Sequence, residues 1–197
     1  MRAAWSRGAL DSPPVPGALL IRPARAGDAG PIGAIYDEAA ASGSATFATG
    51  RHPAEERRAW LAARSDRAPV WCGVVGAEVV AWSALAPLSH RPWYVGVAEY
   101  TVYVAGGRQG EGIGGQMLDA LIEAAPGFGY WKLVGMILPE NAAGLALARR
   151  AGFRVVGTHR AHARRDGRWR DVTIVERHLE DPGDADVGTT RGGLTES

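Results

Sequence analysis

The chain has 197 residues, 46% apolar and 22% charged, which suits one domain with a filled core and tails. A formal net charge of +1 leaves no global basic field for nucleic acid or a membrane surface. The single cysteine, Cys72, excludes an internal disulfide framework, and no apolar run is long enough to span a bilayer. Cys72 sits in an apolar run and reads as a buried core thiol. Arg2 and Arg7 are not followed by an adequate apolar segment, so no secretory signal is expected and a cytoplasmic location is the default. His90, His159, His162 and His178 lack ligand spacing, so no metal is expected.

Residues 1–18 hold Pro13, Pro14, Pro16 and Gly17 with little periodicity and read as a disordered leader. Residues 19–22 predict a first strand. Asp28 is a suitable N-cap for a helix carrying Ile32, Ile35 and Tyr36 at helical spacing. The stretch 42–50 is small and polar except for Phe47. Pro53, Glu55 and Glu56 mark a second helix start, with Trp60 and Leu61 on its inner face. Residues 70–75 and 79–85 are strand-like and joined by a turn at Gly76-Ala77-Glu78. Residues 87–96 form an irregular loop with His90, Arg91, Trp93 and Tyr94.

A β-branched and aromatic strand follows over 99–104. By its alternation Glu99, Thr101 and Tyr103 share one face, and Tyr100, Val102 and Val104 the other. After Gly106-Gly107 comes the glycine loop Gln109-Gly110-Glu111-Gly112-Ile113-Gly114, feeding a helix with Met117, Leu118, Leu121 and Ile122. A buried strand is expected over 131–137. A helix over 141–151 is closed by Gly152 as its C′ residue. A strand starts over 154–157, and a charged hairpin turns at Asp166-Gly167 into a last strand over 171–178. From about Asp181 the chain is rich in Gly, Thr and Asp and reads as a disordered tail.

Strand, glycine loop and helix start form a phosphate cradle. Glycines admit close approach of an anion, and unpaired amides at a helix N-terminus point at it. It is not a P-loop, because Gly115-Gln116 stands where Lys-Ser/Thr is needed. A dinucleotide fingerprint fits only if Gly115 serves as the third glycine one place early, and no acidic residue closes the next strand. Glu99 beside the cradle suggests a general base next to a phosphorylated cofactor.

The loop Gln109-Gly110-Glu111-Gly112-Ile113-Gly114 resembles Gln/Arg-x-x-Gly-x-Gly/Ala, the acyl-CoA pyrophosphate loop of the GNAT superfamily of N-acetyltransferases. Further motifs resemble the phosphinothricin acetyltransferase-like branch over about 21–179. Ala45-Thr46-Phe47 resembles its Thr-x-x-Phe lid, and Arg91-Pro92-Trp93-Tyr94 its Arg-x-Ala-Tyr. The run Val97-Ala98-Glu99-Tyr100-Thr101-Val102-Tyr103-Val104 resembles Thr-Val-Glu-x-x-Val-Tyr-Val. Leu138-Pro139-Glu140-Asn141 resembles Leu-Pro-Asn-Asn, and Gly167-Arg168-Trp169-Arg170-Asp171-Val172 resembles Gly-x-Trp-x-Asp-Val.

The resemblance implies an α/β GNAT fold over 19–180, a mixed, mostly antiparallel central sheet with flanking helices. It implies acetyl-CoA as co-substrate, a small-molecule amine as acceptor and a homodimer. Glu99 would be the base. Backbone groups of Val102, Tyr103 and Val104, the loop Gln109, Gly110, Glu111, Gly112, Ile113, Gly114 and Gly115, and Asn141 would hold the cofactor. Asn141 also reads as a plain N-cap. Phe47, Arg91, Tyr94 and Tyr103 are substrate-pocket candidates. For Arg91 a solvated loop charge, and for the two tyrosines core packing, are equally open readings.

Three positions depart from the branch. Ala148 stands where the resembling enzymes carry His or Tyr, which removes a candidate acid for the leaving thiolate. Thr-Val-Glu has become Val97-Ala98-Glu99. The basic position of the hairpin turn is Arg165, beside a charged Arg164. A non-catalytic acyl-CoA-binding protein and an enzyme acting on protein N-termini are the alternatives.

Overall fold

A computed structural model describes residues 17–179. The expected leader, apart from Gly17 and Ala18, and the expected tail lie outside those residues. Strands β1 (Leu19–Pro23), β2 (Val70–Val75), β3 (Glu78–Pro87) and β4 (Val97–Val104) pair antiparallel in chain order. Strand β5 (Lys132–Ile137) lies parallel to β4. The hairpin of β6 (Arg154–Arg165) and β7 (Arg168–His178) then completes the sheet in the order β1-β2-β3-β4-β5-β7-β6. The helices are α1 (Ala29–Ser42), α2 (Ala54–Ala62), α3 (Ile113–Ala124) and α4 (Ala142–Arg150). This is the mixed, mostly antiparallel sheet that the sequence predicts, with α3 as the crossover between the two parallel strands.

The alternation of β4 sorts its side chains as expected. Ala98, Tyr100, Val102 and Val104 join the larger core with Met117, Leu118 and Leu121 of α3. Tyr103 joins the smaller core with Ile32 and Ile35 of α1 and Trp82 of β3. Helices α3 and α4 therefore cover one face, and α1 and α2 the other. Each fully buried Met or Leu contributes about 1.5–3 kcal/mol. Cys72 is fully buried, and burial pushes its thiol up to about 12, so it is inert.

Several local expectations change. Trp131 lies before β5 rather than inside it. Its ring rests on Gly96, where a Cβ would meet it at 1.9 Å, and it stays 43% exposed. Strands β6 and β7 are longer than the sequence signals, because pairing resumes beyond irregularities at Val155/Gly157 and His159/Ala163. They meet at Asp166-Gly167, both in the left-handed region at φ 49° and 74°. Asp28 precedes α1, but its carboxylate accepts from Arg22 at 2.7 and 2.9 Å and from the Arg25 amide at 2.7 Å rather than from the helix. In α2 the buried residue is Arg57, with Trp60 and Leu61 only half-buried. Its guanidinium lies 4.5 Å from the Tyr36 ring centroid and 5.0 Å from that of Trp60.

Candidate active site

The site begins where two parallel strands part. β4 and β5 pair only through Val97↔Lys132, Ala98↔Leu133 and Glu99↔Val134. From Tyr100 to Val104, β4 has no strand partner on that side among the described residues, which leaves backbone groups there unpaired. Tyr100 crosses to the neighbouring strand on the core face. Its ring sits over Gly135, where a Cβ would meet it at 2.6 Å.

Beyond the parting lies a cleft of about 710 Å³. Val102, Tyr103 and Val104 form one wall, and Asn141, Gly144 and Leu147 of the α4 start form another. The glycine loop closes the end with Gln109, Gly110, Gly112, Ile113, Gly114 and Gly115. Gly112 takes φ 80° as the N-cap of α3 and supplies no side-chain cap, so the Ile113 and Gly114 amides keep their donors for an anion, while the Gly115 amide already donates to the Gly112 carbonyl at 3.0 Å. Ile113 is 4% exposed because its side chain packs into the core; it offers the cleft only backbone. Glu111 is not part of the lining. Its carboxylate pairs with Arg108 at 3.0 Å, and the charged residues of the lining are Arg108 and Arg150 with Glu38 and Glu140. Asn141 is an N-cap, its Oδ1 accepting the Gly144 amide at 2.8 Å, and the residue also lines the cleft.

Glu99 is the last β4 residue still paired with β5, and its side chain points to the α1/α2 face. It is half-buried, with no hydrogen bond or ion pair among the described residues. Burial alone raises its pKa, which makes its carboxylate a stronger base than a solvated one. Four residues on, Tyr103 packs against Tyr36 with ring centroids 5.3 Å apart and against Trp82 at 4.9 Å. The Tyr36 hydroxyl shares a 3.1 Å hydrogen bond with Thr46 Oγ1, next to half-buried Phe47. Arg91 and Tyr94 stand apart from this group. Both are exposed on the β3–β4 loop, and neither lines the cleft.

Residues 33–153 match the acetyltransferase (GNAT) family. The chain belongs to that family. It is accordingly an acetyltransferase, with the GNAT fold.

Among GNAT relatives, the chain is 32% identical over 165 residues to a phosphinothricin N-acetyltransferase of Streptomyces coelicolor, covering 82% of this chain and 96% of that one. It is 32% identical to an L-methionine sulfoximine/L-methionine sulfone acetyltransferase of Pseudomonas paraeruginosa, covering 81% and 94%. A Salmonella typhimurium structure holding its cofactor acetyl-CoA superposes with a TM-score of 0.78 at 27% identity, covering 83% and 95%. A ribosomal-protein-alanine N-acetyltransferase of Brucella melitensis superposes at 0.77 with 32% identity, covering 81% and 99%.

Within this GNAT fold Ala148 is fully buried in the larger core, while Gly144 and Leu147 form the α4 wall of the cleft. The described residues contain no group of three or more His, Cys, Asp or Glu fit for a metal. No described helix is long and apolar enough to cross a membrane. Sequence reasoning missed the contacts that Tyr36, Thr46 and Arg57 make beside Tyr103. Tyr36 carries only a helical-spacing signal, and nothing local marks Arg57 as the buried side of a charged helix.

Proposed function

We propose that this protein transfers the acetyl group of acetyl-CoA directly to the amino group of a small amino acid or amino-acid-like antimetabolite of the phosphinothricin or methionine sulfone type. The observation that carries the reading is the parting of β4 and β5 right after Glu99, with the glycine loop at the far end of the opening. Acetyl-CoA supplies an activated thioester. The unpaired backbone of Val102, Tyr103 and Val104 would take its pantetheine arm as a further strand, and the amides of Gly110, Gly112, Ile113 and Gly114 would take its pyrophosphate, with Gly115 leaving room beside them. Asn141 keeps its Nδ2 donors for the cofactor near the thioester.

An α-amino group has a pKa of roughly 8 or higher and reaches the site largely as ammonium. Glu99 accepts that proton, directly or through a water. The amine nitrogen then bonds to the acetyl carbon, the C–S bond breaks, and the thiolate leaves and takes up a proton. A thiol of pKa about 8.5 departs without a dedicated acid, which accommodates Ala148. Phe47 and Tyr103 would border the acceptor, and Arg91 and Tyr94 would touch it only if the exposed β3–β4 loop folds toward the cleft. Exposed Trp93, Tyr94, Trp131 and Trp169 support a homodimer, a GNAT domain over 19–180 and action in the cytoplasm completing the reading.

A second reading, acetylation of a protein N-terminus, is favoured by the likeness to the ribosomal-alanine enzyme. The test is acetyl-CoA turnover against free amino acids, methionine sulfone, phosphinothricin and an alanine-starting peptide. The proposal expects turnover of one or more free acceptors and none of the peptide. Turnover of the peptide alone selects the second reading. Tight acetyl-CoA binding without any turnover selects a non-catalytic protein.

A further inference from the structure

The turn between β6 and β7 lies far in sequence from the loop that follows α1, yet one buried side chain joins them. Arg165, the last residue of β6, is 9% exposed. Its Nη1 donates to the Thr46 carbonyl at 2.5 Å, across 119 residues of sequence, and its Nη2 donates to the Ala40 carbonyl at 2.5 Å, across 125. Its Nε faces the Asp166 carboxylate at 3.4 Å, and that carboxylate is itself exposed. A buried guanidinium is tolerated when its donors are met, and here the fork spans two carbonyls on either side of one turn.

Both ends of that turn accept from the arginine. The Ala40 carbonyl already accepts the Gly43 amide at 3.2 Å, where α1 ends in a left-handed Gly43 at φ 74°. A cation at this C-terminus also meets the negative end of the helix dipole. Thr46 is fixed from two sides: its carbonyl by Arg165, and its hydroxyl by Tyr36 at 3.1 Å and the Ala48 amide at 3.2 Å. Ser44 and Ala45, inside the turn, line the cleft, and Phe47 follows it directly. The segment between the two carbonyls has little core of its own. Its side chains are small, and backbone and hydroxyl contacts do most of the holding.

We propose that Arg165 is a positioning residue for the acceptor side of the cleft. It latches the loop of residues 43–47 to the β6–β7 turn and so sets where Thr46 meets Tyr36, which packs on Tyr103, and where Phe47 follows. Arg165 touches neither substrate; it acts through the loop. The proposal rests on the reading that this loop borders the acceptor, and its experiment separates the two.

Arg165→Met keeps the stem and loses both donors to the carbonyls. Arg165→Lys keeps the charge but can serve only one carbonyl well. Hydrogen exchange of the 43–48 amides, measured on the full chain with acetyl-CoA and no acceptor, is expected to quicken by about tenfold or more in Arg165→Met and less in Arg165→Lys. With an acceptor from the turnover panel, the acceptor KM is expected to rise by about tenfold in Arg165→Met, with partial recovery in Arg165→Lys. The acetyl-CoA Kd and kcat are expected to stay within about threefold of wild type. Unchanged exchange in the loop overturns the latch. Quickened exchange with an unchanged acceptor KM overturns the positioning role. An equal loss in acetyl-CoA affinity and acceptor KM overturns it too, as the mark of a general structural defect. If no acceptor is turned over by the wild type, the functional reading fails, and the exchange arm still decides the latch. Should Arg165→Met not fold, Arg165→Lys carries both arms.

Discussion

The two sides of β4 are built in different ways. The cleft proposed for the cofactor is lined largely by backbone: a strand edge from Tyr100 to Val104 left unpaired by β5, the glycine loop and the start of α3 with no side-chain cap. On the side proposed for the acceptor, the surface is assembled from side chains drawn from remote segments. Tyr36 comes from α1, Thr46 and Phe47 from the following loop, Tyr103 from β4 and Arg165 from β6. Backbone recognition tolerates change in most side chains as long as the glycines remain. Side-chain recognition can be re-cut one residue at a time, so acceptor choice can drift while the cofactor site holds.

Glu99 sits at the seam, and replacing it should have the largest effect. Glu99→Gln keeps size and hydrogen bonding but cannot take the proton, so the acetyl-transfer rate is expected to fall by on the order of a hundredfold, with acetyl-CoA affinity nearly unchanged by calorimetry. The same variant sharpens the contrast through stability. Burial raises the Glu99 pKa, so its stabilising contribution is full below its unfolded-state pKa and is lost as pH rises through the raised value. Glu99→Gln should therefore melt higher than wild type at neutral pH, and the gain should vanish in acid. A lower melting temperature at neutral pH would contradict the burial argument.

Gly114→Val tests the backbone side. A Cβ there would lie 3.6 Å from both the Leu147 and Val104 side chains, in the throat of the cleft, and a larger group fills it. Acetyl-CoA Kd is expected to rise by about tenfold or more, with acceptor KM at saturating acetyl-CoA changing far less. Equal changes in both would erase the division between the two sides.

Ala148→His restores the side chain of the resembling enzymes in a fully buried position. Overpacking is expected to cost about 1–3 kcal/mol in denaturant unfolding, without a gain in turnover. A rise in turnover would mean that thiolate departure limits the rate. Tyr36→Phe should have the smallest effect. It removes the hydroxyl partner of Thr46, worth about 0.5–1.5 kcal/mol, and raises acceptor KM a few-fold while leaving acetyl-CoA affinity alone.

The same contrast explains what the sequence reveals. The alternation of β4, the glycine loop, the Asn141 cap and the parallel crossover are local or periodic, so they read directly from residue order. The acceptor side depends on which distant segments meet. Arg165 reads as one more charge in a charged hairpin, because only the packed hairpin shows it turned inward to Ala40 and Thr46. Arg57 reads as part of a solvated helix face for the same reason, and Trp131 reads as strand because nothing local announces that Gly96 will lie beneath its ring. Glu111, in the middle of the cofactor motif, turns away to Arg108 because the loop presents amides there rather than side chains. Arg91 and Tyr94, named by a motif, remain exposed and outside the cleft of the single chain.

The most direct test of the central claim is the pH dependence of kcat/KM for the acceptor, measured for wild type and Glu99→Gln with acetyl-CoA saturating. The account predicts a large gap near neutral pH that closes as pH rises and the acceptor arrives already deprotonated. Parallel profiles with no gap at any pH would contradict it and remove Glu99 from the proton's path.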